Sequence, residues 1–194
     1  MSRKSKKDDQ IFIDEKKGQL YVGDKDLRLL MLRPIDIIEF TDFAGTDSND
    51  IIMWVGKNIA KYIYEKLFLG QDFKEESLYG KKMIIKDVLE TLEHLGYGRL
   101  SSMFKKDSID IIVEDPISAE EKDNIMAKNI CILYEGIFSG LLESLAIDAT
   151  SEETKCYLLG DEACVFTYEL LTDEFEEKDI DEAGSKVSGF LDTL

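Results

Sequence analysis

The sequence predicts an α+β domain in which helices cover one face of an antiparallel or mixed sheet. Three observations carry this. Short apolar runs bounded by turn residues pair off as hairpins near the start, the middle and the end of the chain. Longer stretches between them place apolar residues at helical spacing. The 194 residues show no internal repeat and no clear boundary, so they suit one domain with room for a sizeable core.

Taken in order, residues 1–10 are polar and basic and read as a disordered arm. They lack the apolar run of a signal peptide. Ile11–Ile13 and Gln19–Val22 flank a Lys-Lys-Gly turn and read as a small hairpin. Leu27–Arg33 (LRLLMLR) reads as a strand. Pro34 opens a short helix that ends near Gly45, because proline is tolerated in a first helical turn. A long helix follows, with Ser48 or Asn49 as N-cap and an apolar stripe at 51, 52, 55, 59, 62, 63 and 67. Residues 70–80 read as a polar loop. Met83–Leu95 is a second amphipathic helix closed by Gly96.

Residues 98–104 and 108–114 form the middle hairpin, which Asp115-Pro116 breaks. The main helix runs from about Met126 to Ala146. Its Gly136 and Gly140 lie on one face and allow close approach by a strand or a second helix. Thr150–Leu158 and Ala163–Leu171 form the last hairpin. The folded domain therefore spans 11–171. Residues 172–194 carry the acidic run TDEFEEKDIDE and read as a solvated or frayed tail.

The net charge of −17 argues against direct nucleic-acid binding, which needs a basic face, and disfavours anionic membrane surfaces. No apolar run approaches the roughly 20 residues of a membrane span. Three cysteines without an export signal fit reduced thiols and a cytoplasmic location.

All three cysteines fall between positions 131 and 164. Cys156 and Cys164 are separated by YLLGDEA. A turn at Gly160-Asp161 makes the two thiols face each other across a hairpin. Cys131, early in the main helix, can approach from above the sheet. A carboxylate can complete a tetrahedral site. Strand geometry favours Glu152, because positions four apart share a face. Glu153 needs a local bulge to turn inward. Cysteine also often merely fills space, and on spacing alone that reading stands beside the metal site.

The window from about Leu95 to Tyr168 resembles the 4-vinyl-reductase domain family, the predicted hydrocarbon-binding proteins. The residues that carry the likeness are LGYG at 95–98, IIVEDP at 111–116, CILYEGIFSGLLESL from Cys131, Glu153-Thr154-Lys155-Cys156, Gly160-Asp161 and Cys164-Val165-Phe166. The helix around Gly56 (WVGKNIAKYI) extends it, so about 27–171 is covered. The resemblance implies a mixed sheet with helices on one face, and a homodimer. It also implies a structural zinc held by Cys131, Glu153, Cys156 and Cys164, and so selects Glu153 over Glu152. Ligand type alone leaves iron open beside zinc.

Aromatic-responsive sensors of that family recognise phenols with a His and a Trp. Here His94 and Trp54 do not fall at the matching places, so phenol recognition is not carried over. No ATPase or helix-turn-helix segment accompanies the domain, so output through a protein partner is expected. Trp54, Tyr62, Met103, Phe138 and Leu141 are candidates to line a pocket for a small hydrophobic molecule. Gly-Tyr-Gly at 96–98 lacks the context of a phosphate loop, and no catalytic residue stands out. The primary expectation is a non-enzymatic ligand-binding or sensing domain. The resemblance leaves two alternatives: an accessory or carrier protein in vinyl-tetrapyrrole reduction, and a dimeric interaction scaffold like the related vesicle-tethering (TRAPP) subunits.

Overall fold

Period-two burial builds the main sheet. Leu100 and Phe104, Ile109, Ile111 and Val113, and Phe166 and Tyr168 point to one face and are buried. They belong to three neighbouring strands, β4 (Arg99–Phe104), β5 (Ser108–Glu114) and β7 (Cys164–Leu170). The structure is a computed structural model. It describes residues 11–22, 27–122, 124–172, 174–176, 178, 180–181 and 187–188. The expected arm at 1–10 lies outside the described residues, as does much of the acidic segment.

Two antiparallel sheets are present. The smaller runs β1 (Ile11–Asp14), β2 (Gln19–Val22) and β3 (Leu27–Leu29) in chain order. The larger has the order β6-β7-β5-β4-β8, with β6 at Ala149–Lys155 and β8 at Val187–Ser188. The helices are α1 (Pro34–Ala44), α2 (Ser48–Leu67), α3 (Leu78–His94) and α4 (Lys128–Ser144). The α+β class is as the sequence predicts.

Helix α4 lies on the buried face of the large sheet. Phe138 packs on Phe166 at 5.5 Å between ring centres, and the Tyr168 hydroxyl donates to the Glu135 carbonyl at 3.1 Å. The close approach permitted by Gly136 and Gly140 is made by a helix, α2. A Cβ added at Gly56, Gly136 or Gly140 would fall 2.5–2.6 Å from backbone atoms of the facing helix. Only glycine lets the two backbones come this near.

Several boundaries differ from expectation for local reasons. Helix α3 starts at Leu78 rather than Met83, because the Ser77 hydroxyl caps it by accepting from the Gly80 amide at 3.2 Å. Helix α2 uses no side-chain cap. A 3-10 turn at residues 45–47 runs straight into it from α1, so preceding carbonyls accept its first amide donors. Strand β3 stops at Leu29, and Leu30, Met31 and Leu32 continue as exposed chain. Strand β6 stops at Lys155 instead of reaching Leu158, because a 3-10 turn takes over after Cys156.

The acidic segment is not solvated throughout. Phe175 is buried against Phe104, with ring centres 5.2 Å apart. The Asp181 carboxylate accepts from Lys82 Nζ at 2.6 Å and from the Phe104 amide at 3.0 Å. Both partners of this ion pair are about nine-tenths buried, with 8% and 10% of their side-chain surfaces exposed. The acidic residues strap the chain to β4, whose outer edge β8 then continues.

Candidate functional site

Helix α4 and the β6–β7 connection bring Cys131, Glu153, Cys156 and Cys164 together. One ligand atom from each lies within 4.8 Å of the other three. The Cys131 and Cys156 sulfurs are 3.7 Å apart. A tetrahedral ion with metal–sulfur bonds of about 2.3 Å sets its sulfurs about 3.8 Å apart, so this pair matches one edge of such a tetrahedron. All three thiols are free and buried.

The local backbone explains why Glu153 takes part. The β6–β7 register shifts between Glu153 and Lys155, the irregularity needed to turn position 153 toward Cys156. Glu153 Oε1 is buried and has no hydrogen-bond partner among the described residues. A buried carboxylate oxygen without a donor costs free energy that a cation beside it removes. Glu152, on the opposite face of β6, is exposed.

The turn itself holds the sulfurs in place. Gly160 adopts the left-handed conformation, φ 106°, which closes the short connection. The Tyr157 amide donates to Cys164 Sγ at 3.3 Å, and the Cys156 amide donates to Asp161 Oδ2 at 2.9 Å. The thiols divide one negative charge unevenly. Hydrogen bonding from Cys131, helped by the Tyr157 amide, lowers the Cys164 pKa against its burial. Cys131 is raised by that same bond, then by burial and by the neighbouring charges. Burial and the Glu153 carboxylate raise Cys156. Three sulfurs and a carboxylate that repel one another when ionised form a donor set fitted to a divalent cation. Asp161 and Tyr157 were missed from sequence. The Gly-Asp pair inside the cysteine spacing was the available signal.

A second feature is an apolar cleft of about 1360 Å³. One wall is Leu29–Leu32 with α1 and α2. The other is the 95–99 turn and residues 115–120. Trp54 and Tyr62 line it, and Trp54 is 65% exposed. Phe138 and Leu141 are fully buried in the core, and Met103 faces Asp110 across the β4–β5 pair, so these three stand outside the cleft lining. His94 ends α3. Much of the lining lies in turns, where no periodic pattern marks a pocket.

Tyr134 joins the two regions. It sits on α4 one turn after Cys131. Its hydroxyl donates to the Tyr97 carbonyl at 2.7 Å and accepts from the Ile117 amide at 3.0 Å. Tyr97 and Ile117 both line the cleft.

No family model and no curated protein sequence matches this chain. Solved structures match it in fold. The phenol-responsive sensory domain of the transcription activator PoxR, solved with phenol, is 14% identical over 82% of this chain and 84% of that one, with a TM-score of 0.60. An H-NOX domain from Shewanella oneidensis in the Fe(II)CO ligation state is 15% identical over 82% and 84%, with a TM-score of 0.51. A trafficking protein particle complex subunit 3 from Naegleria fowleri, covalently bound to palmitic acid, is 16% identical over 73% and 99%, with a TM-score of 0.43. At these identities the likeness is one of fold. No helix among the described residues is long and apolar enough to cross a membrane.

Proposed function

We propose that this chain is a zinc-stabilised domain of the 4-vinyl-reductase type that binds a small hydrophobic molecule without turning it over. The observation that carries the ligand reading is the apolar cleft beside α2, in a fold shared with a phenol-responsive sensory domain. The zinc reading rests on the four converging donors and the orphaned Glu153 oxygen. Four protein ligands leave no open position, so the ion is structural and pins α4 to the last hairpin. Reduced thiols suit a cytoplasmic location. The folded unit is 11–171, and the acidic segment is its strap.

The scaffold reading contributes the homodimer. Leu30, Met31 and Phe43 are exposed, Phe43 by 91%, and apolar surface of this kind suits a second copy. A signalling partner would read the ligated state.

The test is elemental analysis of full-length protein purified without chelator or a metal column, with solvent extraction and mass spectrometry of the same sample. About one zinc per chain and a co-purifying hydrophobic molecule are expected. Protein without metal, with three titratable thiols, would overturn the zinc reading. A chain that neither carries nor takes up apolar molecules would overturn the ligand reading. Light scattering at matched concentration tests the homodimer.

A further inference from the structure

We propose that the cleft selects hydrophobic amines over hydrophobic carboxylates. This rests on the ligand reading of the cleft and names the chemical class that it takes. The charged side chains of the lining are Asp36, Glu93, Arg99, Asp115 and Glu120, four acidic and one basic. The positive charge is already used, because Arg99 pairs with Glu114 at 3.3 Å. Asp36 is likewise engaged by Arg33, and a Glu93 oxygen accepts from the Leu100 amide at 3.3 Å. Asp115 and Glu120 remain. Among the described residues neither carboxylate has an ion-pair or hydrogen-bond partner.

Both stand on the wall that faces the aromatic side of α2. Asp115 is held at φ 52°, a left-handed backbone that is uncommon outside glycine, in the residue before Pro116. A cleft with apolar walls and charge of one sign concentrates counter-charged solutes, and the net charge of −17 adds to that field. An anionic head group finds no unpaired cation in this lining. An ammonium finds two open carboxylates and, across from them, the Trp54 and Tyr62 rings, which attract cations through their faces. The apolar body then covers Leu29 and Ile59.

The chain carries its own reporter, since Trp54 is its one tryptophan and lines the cleft. Decylamine, decanol and decanoate share a chain length and differ only in head charge near neutral pH. Each is titrated below its aggregation limit into the full chain while Trp54 fluorescence is read. The amine is expected to bind on the order of tenfold more tightly than the alcohol, because two exposed carboxylates each contribute a modest attraction. The carboxylate is expected to bind most weakly.

The double variant Asp115→Asn, Glu120→Gln keeps the shape of the cleft, and asparagine tolerates the left-handed backbone as aspartate does. It should bring the amine down to the alcohol and leave the alcohol unchanged. An amine preference that survives the double variant reports adsorption to an acidic surface and overturns the proposal. So does equal binding of all three probes, although the cleft then still stands as a ligand site. No fluorescence response to any probe overturns the cleft reading itself, and the proposal with it.

Discussion

The cysteine cluster and the cleft flank the same α2–α4 pair but are incomplete in opposite ways. At the cluster, the donors are buried and already converge, and only a cation is missing to balance them. At the cleft, large apolar side chains such as Trp54 are left in water, and what is missing is volume. Donor chemistry therefore defines the first site and shape defines the second. An ion at the first contributes directly to folding, because its ligands converge only in the folded chain. A molecule in the second stabilises only in proportion to its own concentration and affinity.

The sharpest separation of the two comes from removing one group at each end. Cys156→Ser takes a thiolate and its ion together. It should cost several kcal/mol, on the order of 10 °C in melting temperature for a chain of this size. Trp54→Phe removes exposed surface and should stay within about 0.5 kcal/mol. Calorimetry on both variants, with metal content measured alongside, decides the matter. Similar losses at the two ends would break the contrast.

Gly56→Ala should come next, because it strikes both ends at once. Its Cβ would lie 2.5 Å from the Leu133 carbonyl oxygen and 2.8 Å from the Ile137 amide nitrogen. Backbone cannot rotate aside, so α2 and α4 must part. Overpacking of this kind costs about 2–3 kcal/mol. Helix α4 carries both Cys131 and the cleft residue Leu133, so weaker metal retention and altered Trp54 emission should appear together. A denaturant midpoint equal to that of the unmodified chain would show that the helices have room to spare.

Tyr134→Phe should cost about 1–3 kcal/mol, since it strands the Ile117 amide and the Tyr97 carbonyl. The expected signature is asymmetric. The cleft wall loosens and binding of an apolar probe weakens, while zinc stays in place. Loss of zinc in this variant would mean that the two ends form one unit.

The same asymmetry governs what the sequence disclosed. Hairpins and helices were legible because their periodicities are local, and Gly136 with Gly140 announced a close contact without naming α2 as its partner. The cysteine spacing was legible because metal chemistry restricts residue type. Glu153 was not readable from strand geometry, which favours Glu152, because a bulge reverses the face. Met103, Phe138 and Leu141 looked like pocket residues because the pattern that marks a core also marks a pocket. The cleft is walled by Leu30–Leu32, the 95–99 turn and residues 115–120, none of which has a period. The docking of Phe175 and the Asp181–Lys82 pair were hidden inside a run whose composition resembles a solvated tail.

The smallest expected effect tests the cluster through pH. In chelated protein, Cys131 and Cys156 hold their protons more tightly in the fold than at the ordinary thiol value of 9.0. The stability they contribute is complete below about pH 9 and is lost as pH rises beyond it, because the unfolded chain then releases protons that the fold retains. Cys164, whose pKa is lowered, has the opposite sign and offsets part of this loss. One thiol in net remains, worth at most about 1.4 kcal/mol per pH unit. Loaded protein should behave differently at both extremes. Its sulfurs are already thiolates on the ion, so alkali has no thiol proton to remove, whereas acid competes with the metal for them. Melting temperatures measured from pH 5 to 10, with and without chelator, should therefore converge in acid and separate in alkali. Parallel curves would mean that these three sulfurs hold no ion.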